Sequence, residues 1–201
     1  MDILENRRLP PGLHSEADRQ ELALLGRIAA RDRDAFRELY LRYHRRLARF
    51  LTRLTRHRED AEEVINDTLW IVWQQAAGFR GDSRPSTWIL GIAYRRALKL
   101  IRQATTHARA LSLEVVDGEP STGDATEATA NRQQLDLALA RLPVEQRMVI
   151  ELTYFLDHSC EEIAEIMECP VNTVKTRMFH ARRKLRVMLD DATGHAGGES
   201  A

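Results

Sequence analysis

Residues 159–185 read SCEEIAEIMECPVNTVKTRMFHARRKL, and the spacing within them decides the fold. Ser159 and Glu162 form an S-x-x-E pattern, in which hydroxyl and carboxylate each satisfy an amide left open at a helix start. The helix so opened carries Ile163, Ala164, Ile166 and Met167. Glu168-Cys169-Pro170 then makes a tight turn, and Pro170 suits the start of a second helix, where its missing N–H costs nothing. Val174, Met178, Ala181, Leu185 and Met188 give that second helix one side to bury. A helix-turn-helix is predicted, with its second helix suited to the major groove of DNA. The opposite face offers Asn172, Thr173, Lys175, Thr176, Phe179, His180 and Arg183. These side chains supply base-edge hydrogen bonds, contact with a thymine methyl and phosphate neutralisation.

Working outward, helical periodicity continues in both directions. Leu142-Pro143 precede a short helix carrying Val149, Ile150, Leu152 and Phe155. Residues 35–56 place Phe36, Leu39, Tyr40, Tyr43, Leu47, Phe50, Leu51 and Leu54 three or four apart, as one apolar stripe requires. Residues 59–76 repeat this with Ala61, Val64, Ile65, Leu69, Val72 and Trp73, and Glu59, Asp60, Glu62 and Glu63 crowd the first turns, where the helix dipole favours negative charge. A break at Gly78–Pro85 follows, after which Ser86 is placed to cap a helix running to about Gln103. A weaker helical pattern covers Asp18–Ala30.

The fold class is therefore all-α. Only six Pro and ten Gly punctuate 201 residues, too few for a sandwich or barrel. Residues 112–130, SLEVVDGEPSTGDATEATA, are acidic and nearly free of large apolar side chains, so burial there cannot offset ordering entropy. The expected organisation is a flexible N-terminus 1–17, a helical domain 18–105, a flexible acidic linker 106–130, a second small helical domain 131–190 and a disordered tail 191–201.

Thirty basic and thirty acidic side chains leave no net charge, whereas a protein gripping DNA alone is normally basic. The charge is segregated, however: eleven arginines lie between Arg27 and Arg58 against Asp32, Asp34 and Glu38, and Val171–Leu189 holds six basic residues and no acid. Local basic faces on a neutral chain point to a DNA binder acting inside a larger machine. No apolar run suits membrane insertion, and Met1–Ala17 lacks the apolar stretch of a secretory signal, which places the chain in the cytoplasm. Two cysteines give no disulfide framework, and His158, Cys160 and Cys169 lack the paired spacing of a zinc site, so no metal and no cofactor are expected. No phosphate-binding glycine loop, nucleophile elbow or H-E-x-x-H occurs, so no catalytic residue is expected and the chain is not read as an enzyme.

Leu142-Pro143-x-x-Gln146-Arg147, Glu161-Glu162-Ile163-Ala164 and Thr173-Val174-Lys175-Thr176-Arg177 resemble the −35 reading domain of the sigma-70 family. Independently, Asp60-Ala61-Glu62-Glu63-Val64 with Trp73, Phe79-Arg80-Gly81-Asp82-Ser83, and Thr87-Trp88-Ile89-x-x-Ile92-Ala93 are similar to the domain that reads and melts the −10 element. Two such domains on a short linker are the pattern of the extracytoplasmic-function sigma factors, involved in stress response. The resemblance implies a cytoplasmic partner of core RNA polymerase and promoter DNA, monomeric outside the holoenzyme and controlled by an anti-sigma factor.

It also implies roles. On the −35 element it places Asn172, Thr173, Lys175, Thr176, Arg177, Phe179, His180 and Arg183, with His180 where Arg is common. For the −10 element it implies Arg80, Asp82, Ser83 and Arg84 in the loop and Arg95, Arg96, Lys99 and Arg102 on the next helix, whose basic face departs from the common pattern. For core polymerase it implies Glu62, Glu63, Asn66, Asp67 and Trp70, with Asn66-Asp67 standing where Gln-Glu is usual. Trp73 and Trp88 lie on apolar stripes and read as core, while Trp70 remains open between core packing and stacking on melted bases. The linker reads equally as a tether or as an acidic segment running near the polymerase cleft. A free-standing helix-turn-helix regulator is the alternative and requires dimerisation, for which no leucine-rich stripe is visible. A non-DNA adaptor would need neither the basic recognition face nor the Phe79–Trp88 loop.

Overall fold

Ser15 opens the first helix: its hydroxyl accepts the Asp18 amide at 3.1 Å and donates to the Asp18 carboxylate at 2.6 Å. In the computed structural model, which describes residues 15–55, 57–110 and 127–194, this helix is α1 (Glu16–Ala29). It starts earlier than the apolar pattern indicates, because the Ser15-x-x-Asp18 cap precedes the first buried leucine. Seven further helices follow: α2 (Arg33–Leu51), α3 (Arg58–Gln75), α4 (Pro85–Ala110), α5 (Glu127–Ala140), α6 (Val144–Tyr154), α7 (Cys160–Met167) and α8 (Val171–Gly194). A single 3-10 turn, Ala76–Gly78, lies between α3 and α4, and no strand occurs among the described residues.

By proximity the chain falls into two compact units, Met1–Ser112 with Glu165–Glu168, and Leu113–Ala164 with Cys169–Ala201. In the first, Leu25 and Ile28 of α1, Leu39, Tyr43, Leu47 and Leu51 of α2, Ile65 and Leu69 of α3, and Ile89 and Leu90 of α4 have essentially no access to water. Fully burying such a side chain contributes about 1.5–3 kcal/mol. In the second, Leu139, Met148, Leu152, Ile163, Val174 and Ala181 form the interior. Phe155 does not join them. It sits at the C-cap of α6 and is 39 % exposed, since the helix ends before the position that would turn it inward. Likewise Leu185 and Met188 are half-buried, while Val174, Met178 and Ala181 carry the packed side of α8.

Several boundaries differ from the compositional reading. Pro85, not Ser86, is the first residue of α4, and the Ser86 side chain is buried within its first turn. The helix runs on to Ala110, α5 begins at Glu127, and α8 reaches Gly194. Extending a helix already formed needs one hydrogen bond per added residue and no core, which composition alone does not register. The remainder of the linker, residues 111–126, lies outside the described residues, as do 1–14 and 195–201.

The α1–α2 corner is sharp. Arg31 takes a left-handed φ of 66°, and the Asp32 amide bonds back to the Arg27 carbonyl at 3.1 Å, closing α1 with a Schellman-type end. Asp32 then caps α2 through the Asp34 and Ala35 amides, at 2.9 and 3.0 Å. Arg31 itself reaches the end of α3, donating to the Trp73 carbonyl at 3.0 Å with its guanidinium 5.5 Å from the Trp73 ring centre. Trp73 also packs on Phe36, ring centres 5.1 Å apart.

Deeper in, Tyr43 donates its hydroxyl to the buried Glu21 carboxylate at 2.6 Å, joining α2 to α1. Burial pushes the Glu21 carboxyl above its ordinary 4.5, while the Tyr43 bond and the charges of Arg46 and Arg42 pull the other way. The folded protein thus holds that proton to higher pH than the unfolded chain, and the stability Glu21 contributes is lost as pH rises past 4.5. Glu21→Gln keeps an acceptor for Tyr43 without a charge to bury. Denaturant unfolding across pH should show the variant gaining on the native protein from pH 4.5 toward neutrality; a gap that narrows instead would contradict the burial argument.

Candidate nucleic-acid and polymerase interface

The helix-turn-helix is set by local bonds. The Ser159 amide donates to Glu162 Oε2 at 2.9 Å and the Glu162 amide to Ser159 Oγ at 3.2 Å, the reciprocal capping box. His158, its side chain fully buried, places Nδ1 3.3 Å from the same carboxylate oxygen. At the other end of α7, Glu168 adopts φ 49°, the Cys169 amide bonds to the Ala164 carbonyl at 3.0 Å and the Glu168 amide to that of Glu165 at 3.3 Å. This pair is a Schellman motif, and Pro170 follows it at the mouth of α8.

Val174, Met178 and Ala181 turn α8 onto the interior, so Asn172, Lys175, Thr176, Phe179, His180 and Arg183 are all exposed on its far side. Phe179 is 62 % exposed with its ring edge-on to His180, centres 5.5 Å apart. A large apolar ring in that position is left mostly outside the packing of the unit. Thr173 is half-buried, as is Arg177, which donates to Cys169 Sγ at 3.6 Å and so braces the turn. Arg182 hydrogen-bonds the Tyr154 hydroxyl and lies 5.6 Å from its ring centre, tying α8 to the end of α6. Cys160 and Cys169 are free thiols.

In the first unit the loop between the 3-10 turn and α4 is held at both ends. Phe79 is buried and packs on Trp88, ring centres 4.9 Å apart. At the tip, Gly81 takes φ 75°, a conformation that strains residues with a Cβ, and Arg80 and Asp82 pair at 3.2 Å in nearly full exposure. Arg84 departs from the expectation that it faces DNA: its Nε donates to Asp18 Oδ1 at 2.9 Å, with the Asp18 side chain 3 % exposed. Beyond the loop, Arg95, Lys99 and Arg102 are exposed at i, i+4 and i+7 on α4, one face of the helix, and Arg96 beside them is half-buried.

On α3, Glu63, Asn66, Asp67 and Trp70 are exposed in one row, Trp70 at 56 %. Trp73 and Trp88 are half-buried, each against another ring, Phe36 and Phe79. Glu62 is half-buried, its Oε2 3.0 Å from His44 Nε2. Tyr40 donates to Asn66 Oδ1 at 3.5 Å, and Asp67 lies 3.6 Å from Arg96, linking the α3 row to the basic face of α4. Sequence reasoning missed Leu41, which lies off the apolar stripe of α2 and is 66 % exposed, and the anchoring acid Asp18, whose partner lies 66 residues away. The S-x-x-D pattern at 15–18 was the available signal for the latter. No group of three or more metal-ligating side chains occurs among the described residues, and no helix there is long and apolar enough to cross a membrane.

An all-helical chain whose helix-turn-helix presents a basic, aromatic-bearing outer face falls in the class of helix-turn-helix DNA-binding proteins. Family comparison narrows this: the chain matches the sigma-70 region 2 model over residues 39–106 and the sigma-70 region 4 model over 132–185. It is 31 % identical over 178 residues to the ECF RNA polymerase sigma factor SigM of Mycobacterium tuberculosis, covering 89 % of each chain. The ECF RNA polymerase sigma-E factor of Escherichia coli is 29 % identical over 173 residues, covering 81 % of this chain and 90 % of that one. Among solved structures, the Bartonella quintana sigma factor RpoE in complex with the anti-sigma factor NepR has a TM-score of 0.68 at 24 % identity, covering 77 % of this chain and 96 % of that one. CnrH in complex with the cytosolic domain of CnrY has a TM-score of 0.65 at 23 % identity, with 86 % and 98 % covered. The chain belongs to the extracytoplasmic-function (ECF) sigma factors of the sigma-70 family, which direct RNA polymerase to promoters. A free-standing regulator is thereby set aside.

The capping box makes a quantitative expectation. Ser159→Ala should lower the stability of the second unit by about 1 kcal/mol in denaturant unfolding. An unchanged midpoint would mean that the Glu162 carboxylate holds the start of α7 without its serine.

Proposed function

We propose that the two units divide promoter recognition, with residues 18–105 binding core polymerase and the −10 element and residues 131–190 binding the −35 element. Lys175, Thr176, Phe179, His180 and Arg183, with Asn172 and Thr173 at the helix start, read and grip the −35 duplex. The loop tip Arg80, Asp82 and Ser83 engages the opened −10 strand, and Arg95, Arg96, Lys99 and Arg102 neutralise its phosphates. Glu63, Asn66, Asp67 and Trp70, with Glu62 behind them, form the polymerase-docking row. The observation that carries this reading is the outer face of α8, where Phe179 stands 62 % exposed amid polar and basic side chains. Arg177 and Arg84 serve instead to hold the turn and the loop, through Cys169 and Asp18.

The protein acts in the cytoplasm as a monomer outside the holoenzyme, and an anti-sigma factor covers the same faces when transcription is to be withheld. Support for that last point is the pair of similar sigma-factor folds solved with NepR and with the cytosolic domain of CnrY.

Run-off transcription from a promoter library, with core polymerase plus and minus the protein, tests the division. Transcripts should cluster on one −35/−10 pair. Lys175→Ala and Arg183→Ala should each weaken −35-dependent output by about 1–3 kcal/mol in apparent affinity, while Trp70→Ala weakens core binding with −35 selectivity retained. Undiminished −35 selectivity in the two α8 variants would remove α8 as the reading helix.

A further inference from the structure

We propose that Asp18 of α1 is a positioning residue for the −10 loop, fixing through Arg84 the place from which the loop tip meets the promoter strand. The inference rests on the reading of that loop as the −10 engaging element.

The geometry is that of a strut. Asp18 spends both carboxylate oxygens: Oδ1 accepts Arg84 Nε at 2.9 Å and Oδ2 accepts the Ser15 hydroxyl at 2.6 Å. Its orientation is therefore fixed, and its side chain is 3 % exposed. Burial pushes the Asp18 carboxyl up, but the bonds from Ser15 and Arg84 outweigh it and hold the group below its ordinary 3.8, so it is ionised at neutral pH. Arg84 is the last loop residue, and its carbonyl accepts the Trp88 amide at 3.1 Å, the first bond of α4. One residue thus closes the loop, starts the helix and takes the charge of Asp18.

Glu21, one turn further along α1, is bonded to Tyr43 of α2 at 2.6 Å, so the strut has a fixed base. The loop's other end is fixed by Phe79 on Trp88. Between these anchors the tip, residues 80–83, with Arg80 and Asp82 exposed, has a set span and direction. A reacting or binding group displaced by a fraction of its contact distance loses much of its effect, and a loop that must receive an unstacked base is subject to the same demand.

The test uses the full chain in holoenzyme, with one promoter as duplex and again as a template pre-melted across the −10 element. Asp18→Asn removes the charge at constant shape. It should reduce duplex run-off by about tenfold or more, the scale on which misplaced groups act, while core affinity stays unchanged and the pre-melted template recovers most of the output. Arg84→Ala should match it, the double variant should be no worse than either, and Arg84→Lys should restore part of the loss. Native duplex activity in Asp18→Asn overturns the proposal. So does an equal loss on both templates with lost core affinity, which would make Asp18 merely structural, and so does an Arg84→Ala defect that exceeds and masks that of Asp18→Asn, which would put Arg84 on DNA. If instead Arg80→Ala and Ser83→Ala leave −10 use untouched, the −10 reading of the loop fails, and the proposal with it.

Discussion

Two carboxylates on one face of α1, Asp18 and Glu21, have almost no access to water, and the first unit is arranged so that each meets a donor. Leaving a buried carboxylate without its donor is costly, whereas an apolar pair of equal volume is often no less stable. The net contribution of these bonds is therefore to register more than to stability. Tyr43 donates to Glu21 and Arg84 to Asp18, so these bonds tie α1 to α2 and to the mouth of α4. Apolar packing of Leu25, Ile28, Leu39 and Ile65 would tolerate small slips that these bonds do not.

The second unit reaches definition by another route. Its recognition helix is placed by bonds between near neighbours: the Ser159–Glu162 box at one end of α7 and the Schellman turn at the other. Holding Glu168 in the left-handed region costs about 1–2 kcal/mol for a residue with a Cβ, which the two amide bonds of the motif offset. Val174, Met178 and Ala181 are α8's share of the interior, and the rest of α8 is left for contact outside the unit.

Function follows from the division between what is held and what is left exposed. The chain carries no net charge, so long-range attraction to DNA is weak, and its basic side chains are gathered on exposed faces of α4 and α8. Acids on α3 occupy their own row, with Asp67 reaching Arg96. A neutral protein with separated faces of opposite sign is suited to work beside polymerase at a promoter.

The helix-turn-helix was legible because its determinants are local. S-x-x-E, the proline after the turn and the 174–178–181 stripe lie within one or two turns of the bonds they make, and the outer-face residues follow from helical geometry. Trp73 and Trp88, read as core from their stripes, are half-buried, while Trp70, which the pattern left open, is exposed because α3 has a single buried side. The helix read as ending near Gln103 runs to Ala110, and α5 and α8 reach into the stretches read as linker and tail, since composition reports whether a segment can build a core and not whether a helix can extend beyond one. What tertiary structure alone decided is the fate of Arg84 and Asp18. Arg84 read as a −10 loop residue and Asp18 only as the start of a weak helix, and 66 residues of chain had to fold before the low dielectric of the interior gave them to one another. Sequence determines by itself those features whose partners are within a helical turn; charges that meet across the fold are assigned only when burial makes an unpaired one too costly to keep.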